Sequence, residues 1–158
     1  MAEFTNNTPQ LIQPNQQVLL STSIGCQKGY VYHRNGSGIV TLRGITPNCF
    51  ARYQVTFNGN IAIPSTGTIN PISVSLAFDG EPILTSKAVF TPSVVATTDI
   101  GSDVGYGNVT STAIITVPRG CCFNVSVENT SAVPTTPAGA NAPAILVKNA
   151  NLVVQRIA

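Results

Sequence analysis

The chain has 158 residues, enough for one compact domain with a sizeable core and too few for two ordinary ones. Only 9% of them are charged and the formal net charge is +2, so no patch is dense enough to displace several phosphate counterions, and nucleic acid is not an expected partner. The longest apolar stretches, such as "AIITV" and "NLVV", fall far short of the ~20 residues of a membrane span, so no membrane crossing is expected either.

Residues 1–16, "MAEFTNNTPQLIQPNQ", are polar, carry Pro9 and Pro14, and show no clear period. They read as an extended arm, which cannot bury enough of itself to become ordered alone and so calls for a sister subunit or a larger assembly to hold it. Phe4, Pro9, Leu11 and Ile12 are its candidate attachment residues. The same start lacks the basic region and apolar run of a secretory signal, so the chain is expected to be made and kept in a cytoplasm.

From Gln17 to Ala158 the pattern is that of one all-β domain. Short runs rich in Val, Ile, Thr, Phe and Tyr are separated by Gly, Pro, Asn and Asp, which supply turn geometry. Strands are expected at 17–23, 28–34, 37–43, 50–63, 72–79, 86–90, 109–117, 122–128 and 144–157. No segment holds a 3.6-residue apolar period, so helix content should be close to nil. The stretches 91–108 and 129–143, rich in glycine or proline, are expected to be long surface loops.

The strands are of two kinds. "ARYQVTFNG" alternates, with Tyr53, Val55 and Phe57 on one face and Arg52, Gln54, Thr56 and Asn58 on the wetter other. "AIITV" and "NLVV" are apolar on both faces, which points to cover for the outer face of their sheet. With no helix to provide it, another subunit is the natural cover.

Candidate chemistry is sparse. The only histidine, His33, precedes "RNGSG", where Asn35-Gly36 between two β-patterned runs signals a type I′ hairpin turn with Arg34 facing Ser37 and His33 facing Gly38. A phosphate loop would need a following helix, and catalysis by His33 would need a nucleophile and an orienting carboxylate; neither is patterned here. A hydrogen-bonded structural histidine is the reading. The pair Asp99 and Asp103 in "DIGSD" lacks the ligand alternation and closing glutamate of an EF-hand loop, and reads as a solvated loop. Four cysteines, Cys26, Cys49, Cys121 and Cys122, are too few and too irregular for a disulfide scaffold, so buried thiols are expected, with a Cys26–Cys49 bridge as the alternative. Adjacent strand residues point to opposite faces, so one of Cys121 and Cys122 should be in the core and the other at the opposite face or an interface. No catalytic residue, metal ligand or cofactor is expected.

About nine short strands, no helix and two long loops make an antiparallel two-sheet jelly-roll sandwich the expected architecture. The order "GIVTLRG", "CFARYQVTFNGNIAI", "ISVSLAFDGEPI", "STAIITVPRGCCFNVSVENTS" and a terminal "AILVKNANLVVQRIA" resembles the tumour necrosis factor-like (TNF-like) jelly-roll superfamily, in particular the C-terminal heads of bacterial and phage collagen-like proteins. "HRNGSGIVTLRG" and "PRGCCFNVSVENTS" are also similar to small prophage proteins of gut Firmicutes. There is no Gly-X-Y stalk, and the polar arm stands in its place.

The resemblance implies a homotrimer whose inner sheets pack around a threefold axis, with Ile114, Ile115, Leu152 and Val153 in or next to the subunit contact. It also implies a virion structural protein, a capsid decoration or cement protein bound through its arm to the major capsid protein or another virion protein. The rival is a glycan- or receptor-binding head of a phage fibre or of a bacterial cell or spore surface, for which Tyr106 and Asn108 are the candidate glycan loop residues.

Overall fold

A computed structural model describes residues 1–25, 29–135 and 140–158. Cys26 and its alternative bridge to Cys49 therefore lie outside the described residues. In chain order the strands are β1 (Ala2–Asn6), β2 (Gln10–Ile12), β3 (Thr22–Ile24), β4 (Val31–His33), β5 (Val40–Arg43), β6 (Phe50–Ala62), β7 (Ile72–Phe78), β8 (Glu81–Pro82), β9 (Ala88–Phe90), β10 (Gly107–Pro118), β11 (Cys122–Asn129) and β12 (Ile145–Arg156). A single 3₁₀ turn, Leu84–Ser86, sits between β8 and β9.

These strands form two antiparallel sheets. The first runs β10-β6-β12-β1-β3, with β2 also on β12; the second runs β4-β5-β11-β7-β8, with β9 also on β7. The expected alternation on β6 holds: Tyr53, Val55 and Phe57 are fully buried while Arg52, Gln54 and Asn58 face out. Their partners from the second sheet include Leu42, Val74, Leu76, Val125 and Val127, and the core is the layer between. Each such side chain, fully buried, contributes roughly 1.5–3 kcal/mol relative to exposure.

The first sixteen residues are not an arm. β1 lies inside the first sheet, with β12 on one side (Phe4 opposite Leu152) and β3 on the other (Phe4 opposite Ser23). Phe4 and Ile12 belong to the core, and β2 pairs Ile12 with Ile145. A boundary at residue 16 would cut through a sheet. The physical reason is that these short strands need supply only one or two apolar side chains each, because β12 provides the backbone partners that the segment lacks by itself.

Three local expectations are also corrected. The run 17–23 is shared between sheets: Val18 N–H donates to Val127 O (2.8 Å), Gln17 bridges Glu128 on β11, and the chain joins β1 from Ser21 on, whose N–H donates to Thr5 O (3.0 Å). The β4–β5 register sets His33 opposite Val40, not Gly38, so the connection is longer than two residues. Within it Ser37 N–H donates to Arg34 O (2.9 Å), and only Gly36 takes a positive φ, +87°. The two-residue turn with both central φ positive occurs instead at Asp79 and Gly80 (+47° and +85°), where Phe78 pairs with Glu81. Finally Cys49, Cys121 and Cys122 are exposed free thiols; the two adjacent ones sit where the chain turns from β10 into β11, before strand alternation has carried any side chain inward.

Candidate functional site

The molecule has two distinct ends. Residues 49–53, 117–122 and 155–158 gather at one, since Phe50 pairs with Pro118, Tyr53 with Arg156, and Arg52 N–H donates to Ala158 O. At the other lie the start of β10, the start of β12, and β2.

At that second end Tyr106 stands just before β10, where the chain from 97 to 106 folds back on β12. Lys148 of β12 is only 6% exposed, and its ammonium donates to the Ser102 carbonyl (2.9 Å) and to the Asp103 carboxylate. Its Nζ also lies 4.2 Å from the centre of the Tyr106 ring. A buried ammonium requires such partners, and the π-face adds to them. Burial pushes the Tyr106 phenol up, against the opposing pull of the Lys148 charge. Beside this cluster runs a groove of about 440 Å³ whose lining includes Pro9, Leu11, Thr98, Ile100, Tyr106 and Leu146. Its lining mixes apolar side chains with the hydroxyls of Ser65, Thr97, Thr98 and Tyr106 and the Asp99 carboxylate.

The fold thus brings Pro9 and Leu11 together with Tyr106, although sequence reasoning assigned them to different roles. Asn108 does not line the groove; it stands in the same cross-strand row as Lys148, both beside Asn60, and belongs to an amide ladder: it donates to Asn58 Oδ1 (2.6 Å) and Asn60 Oδ1 (3.2 Å), and Asn60 donates to Asn149 Oδ1 (3.1 Å). Lys148 and Ile100 were missed, and Asp103, read as part of a solvated loop, is indeed 90% exposed but pairs with Lys148. A single charge, Lys148, inside "AILVKNANLVV" was the available signal, because a lysine buried in a strand is retained only with a partner.

The ladder sits on the outer face of the first sheet, and so do two of the four candidate contact residues. Ile114 is 63% exposed and Val153 is half-buried. Ile115 and Leu152 point inward and belong to the core, so they are withdrawn as contact residues; a side-chain period of two places neighbours on opposite faces. One cross-strand row reads Thr112, Thr56, Val153, Glu3, Ile24, and Ile114 stands beside Gln54 in the next. Exposed Ile24 and Phe50 extend the apolar part of this face, which otherwise consists mainly of Thr, Asn and Gln.

His33 is a buried structural group. Its Nε2 donates to the Ser37 carbonyl (3.0 Å), and its Nδ1 lies 3.1 Å from Ser23 Oγ. Among the described residues, no three His, Cys, Asp or Glu side chains gather so as to hold a metal ion.

No protein-family model matches the chain, and no curated protein does so significantly. Among solved structures it is similar to the globular domain of zebrafish complement 1qA protein, at 12% identity and a TM-score of 0.53, over 99% of this chain and 97% of that one. The fold is a TNF-like jelly roll. Looser matches are a C-terminal domain of EclA described as a sugar-binding protein (16% identity, 94% and 78% coverage, TM-score 0.39) and the CBM22-1 xylan-binding domain of Paenibacillus barcinonensis Xyn10C (10%, 83% and 85%, 0.33). At these scores they carry no argument about this chain. The match that spans nearly the whole jelly roll includes residues 1–16, in keeping with their place in the first sheet.

Proposed function

We propose that the chain is a non-enzymatic binding head that assembles as a homotrimer through the outer face of its first sheet. The observation that carries this reading is the open face itself. Exposed Ile24, Phe50 and Ile114 and half-buried Val153 lie there among uncharged hydroxyl and amide side chains, with Glu3 and Arg52 as ionised groups and the Lys148–Asp103 pair at the groove end. Depletion of charge around an apolar centre is what distinguishes the core of an interface from ordinary surface. Ile114 and Val153 remain the contact candidates, and the threefold arrangement is the one that the sequence resemblance implies.

The groove beside Tyr106 lies at the far end of that same outer face from Phe50 and Ile114, and contact centred on Ile114 and Val153 would leave it to a hydroxyl-rich ligand such as a glycan. The setting we propose is the phage virion, with a bacterial cell or spore surface as the rival. Docking on a capsid protein would then use a surface of the folded head, because residues 1–12 are committed to its sheet.

The test is the mass in solution, by light scattering on a size-exclusion column, of the wild type and of the Ile114→Lys, Val153→Lys double variant. A wild-type trimer and a folded monomeric variant are expected. A wild type that stays monomeric at every concentration overturns the assembly. A glycan array probed with the wild type and with Tyr106→Ala tests the groove, and an array without hits removes the glycan from the reading.

A further inference from the structure

The end of the molecule opposite the groove concentrates two chemistries that the binding head does not use. Cys49, Cys121 and Cys122 are all exposed thiols, and all lie there. So do Arg43, Arg52, Arg119 and Arg156, four of the five arginines in the chain.

The thiols are not equivalent. Arg119 lies between two of them: its backbone N–H donates to the Cys49 carbonyl (2.9 Å), and Cys121 closes the same turn by donating its N–H to Pro118 O (3.0 Å). The Cys121 carbonyl in turn accepts from Gly44 N–H (2.8 Å), which ties the loop before β6 to the turn after β10. A side chain at Gly44 could not fit, since its Cβ would stand 2.0 Å from Pro118 O, so the two loops are held close by design of the backbone. The Arg119 guanidinium has only a long contact to Pro47 O (3.5 Å) and forms no ion pair among the described residues. Cys122 differs. It stands opposite Arg43 on β5, yet Asp79, whose carboxylate accepts from Asn124 N–H (2.8 Å), lies on the other side of the same strand.

We propose that Cys49 and Cys121, with Arg119 between them, form a thiol-exchange site for an anionic low-molecular-weight disulfide. The proton leaves one thiol and its thiolate attacks one sulfur of the disulfide. A new S–S bond forms to the protein as the original S–S bond breaks, and the departing thiolate takes up the proton. No further oxidant is needed. The guanidinium attracts the carboxylates of such a disulfide and raises its local concentration, as a fixed positive charge does for any anionic encounter. The site adjoins Phe50 at the edge of the sheet face, and its chemistry does not require the proposed trimer.

The experiment exposes the native protein to glutathione disulfide, which is anionic, and in parallel to cystamine, which is cationic. Adducts are quenched with acid and mapped by peptide mass spectrometry. Faster modification of Cys49 or Cys121 than of Cys122 is expected with glutathione disulfide, by roughly tenfold over cystamine at low salt, the scale of modest electrostatic steering. Arg119→Gln should erase that preference and Arg119→Lys should keep it; both replace an exposed turn residue and leave its backbone hydrogen bond in place. Equal rates with both disulfides, preferred modification of Cys122, or an unchanged preference in Arg119→Gln would each overturn the proposal.

Discussion

The Phe4 ring packs against the His33 imidazole, with centroids 4.7 Å apart, and so joins the first strand of the chain to the opposite sheet. Phe4 is fully buried in doing so. Phe4→Ala is therefore expected to cost about 3–5 kcal/mol, the usual range for emptying an aromatic site in a core. Removing residues 1–16 should do more, since it strips β12 of its partners in β1 and β2 and opens a sheet edge. Urea denaturation followed by circular dichroism checks both. A truncated chain that unfolds cooperatively with near-native stability would show that the sheet does not need these strands.

Lys148 and Asp103 make an asymmetric pair, because the lysine side chain is buried while that of the aspartate is 90% exposed. Solvent screens an ion pair of this kind, so Asp103→Asn should cost only about 1 kcal/mol in global stability. The local effect should be clearer. The chain from Ser102 to Tyr106 is held to β12 by this lysine, and its amide hydrogens are expected to exchange faster in Asp103→Asn than in the wild type. Unchanged exchange across that stretch would mean that the Tyr106 ring and the Ser102 carbonyl hold the lysine by themselves.

The sheet strands were legible where the alternation was long. On β6 the period of two runs over thirteen residues and fixes which face is buried. At the start of the chain only Ala2 and Phe4 alternate with Glu3 and Thr5, over a strand of five, and its identity as a strand depends on β12, nearly the whole length of the sequence away. The turn chemistry misled for a related reason. Asn35-Gly36 and Asp79-Gly80 carry the same local signal, and the backbone adopts the two-residue geometry only at the second, where both flanking strands are paired up to the turn. The groove was illegible because its lining comes from residue 9 through residue 146, and no local pattern could assemble it. Apolar residues on both faces of β10 and β12 did mark the open sheet face, though with two of the four residues assigned to the wrong side.

Glu128 supplies the pH dependence. It lies on the outer side of β11 between Gln17 and Ser75, buried to 4% exposure, and accepts a hydrogen bond from Ser126 Oγ (3.1 Å). Burial pushes its carboxyl above the ordinary value of 4.5, the Ser126 hydroxyl opposes this, and the charge of Glu81 adds to it. The folded protein thus holds this proton more tightly than the unfolded chain does. Its contribution to stability is complete below the ordinary value and is lost as pH rises through the raised one, because the folded state must then ionise a buried group. Glu128→Gln stays neutral at every pH and has no such loss. Compared by urea midpoints at about pH 4 and about pH 7, the wild type should lose stability relative to Glu128→Gln on going to the higher pH, the other carboxylates being common to both. If the wild type instead gains on the variant at neutral pH, the ionised carboxylate is favoured in the fold, and an attractive charge outweighs its burial.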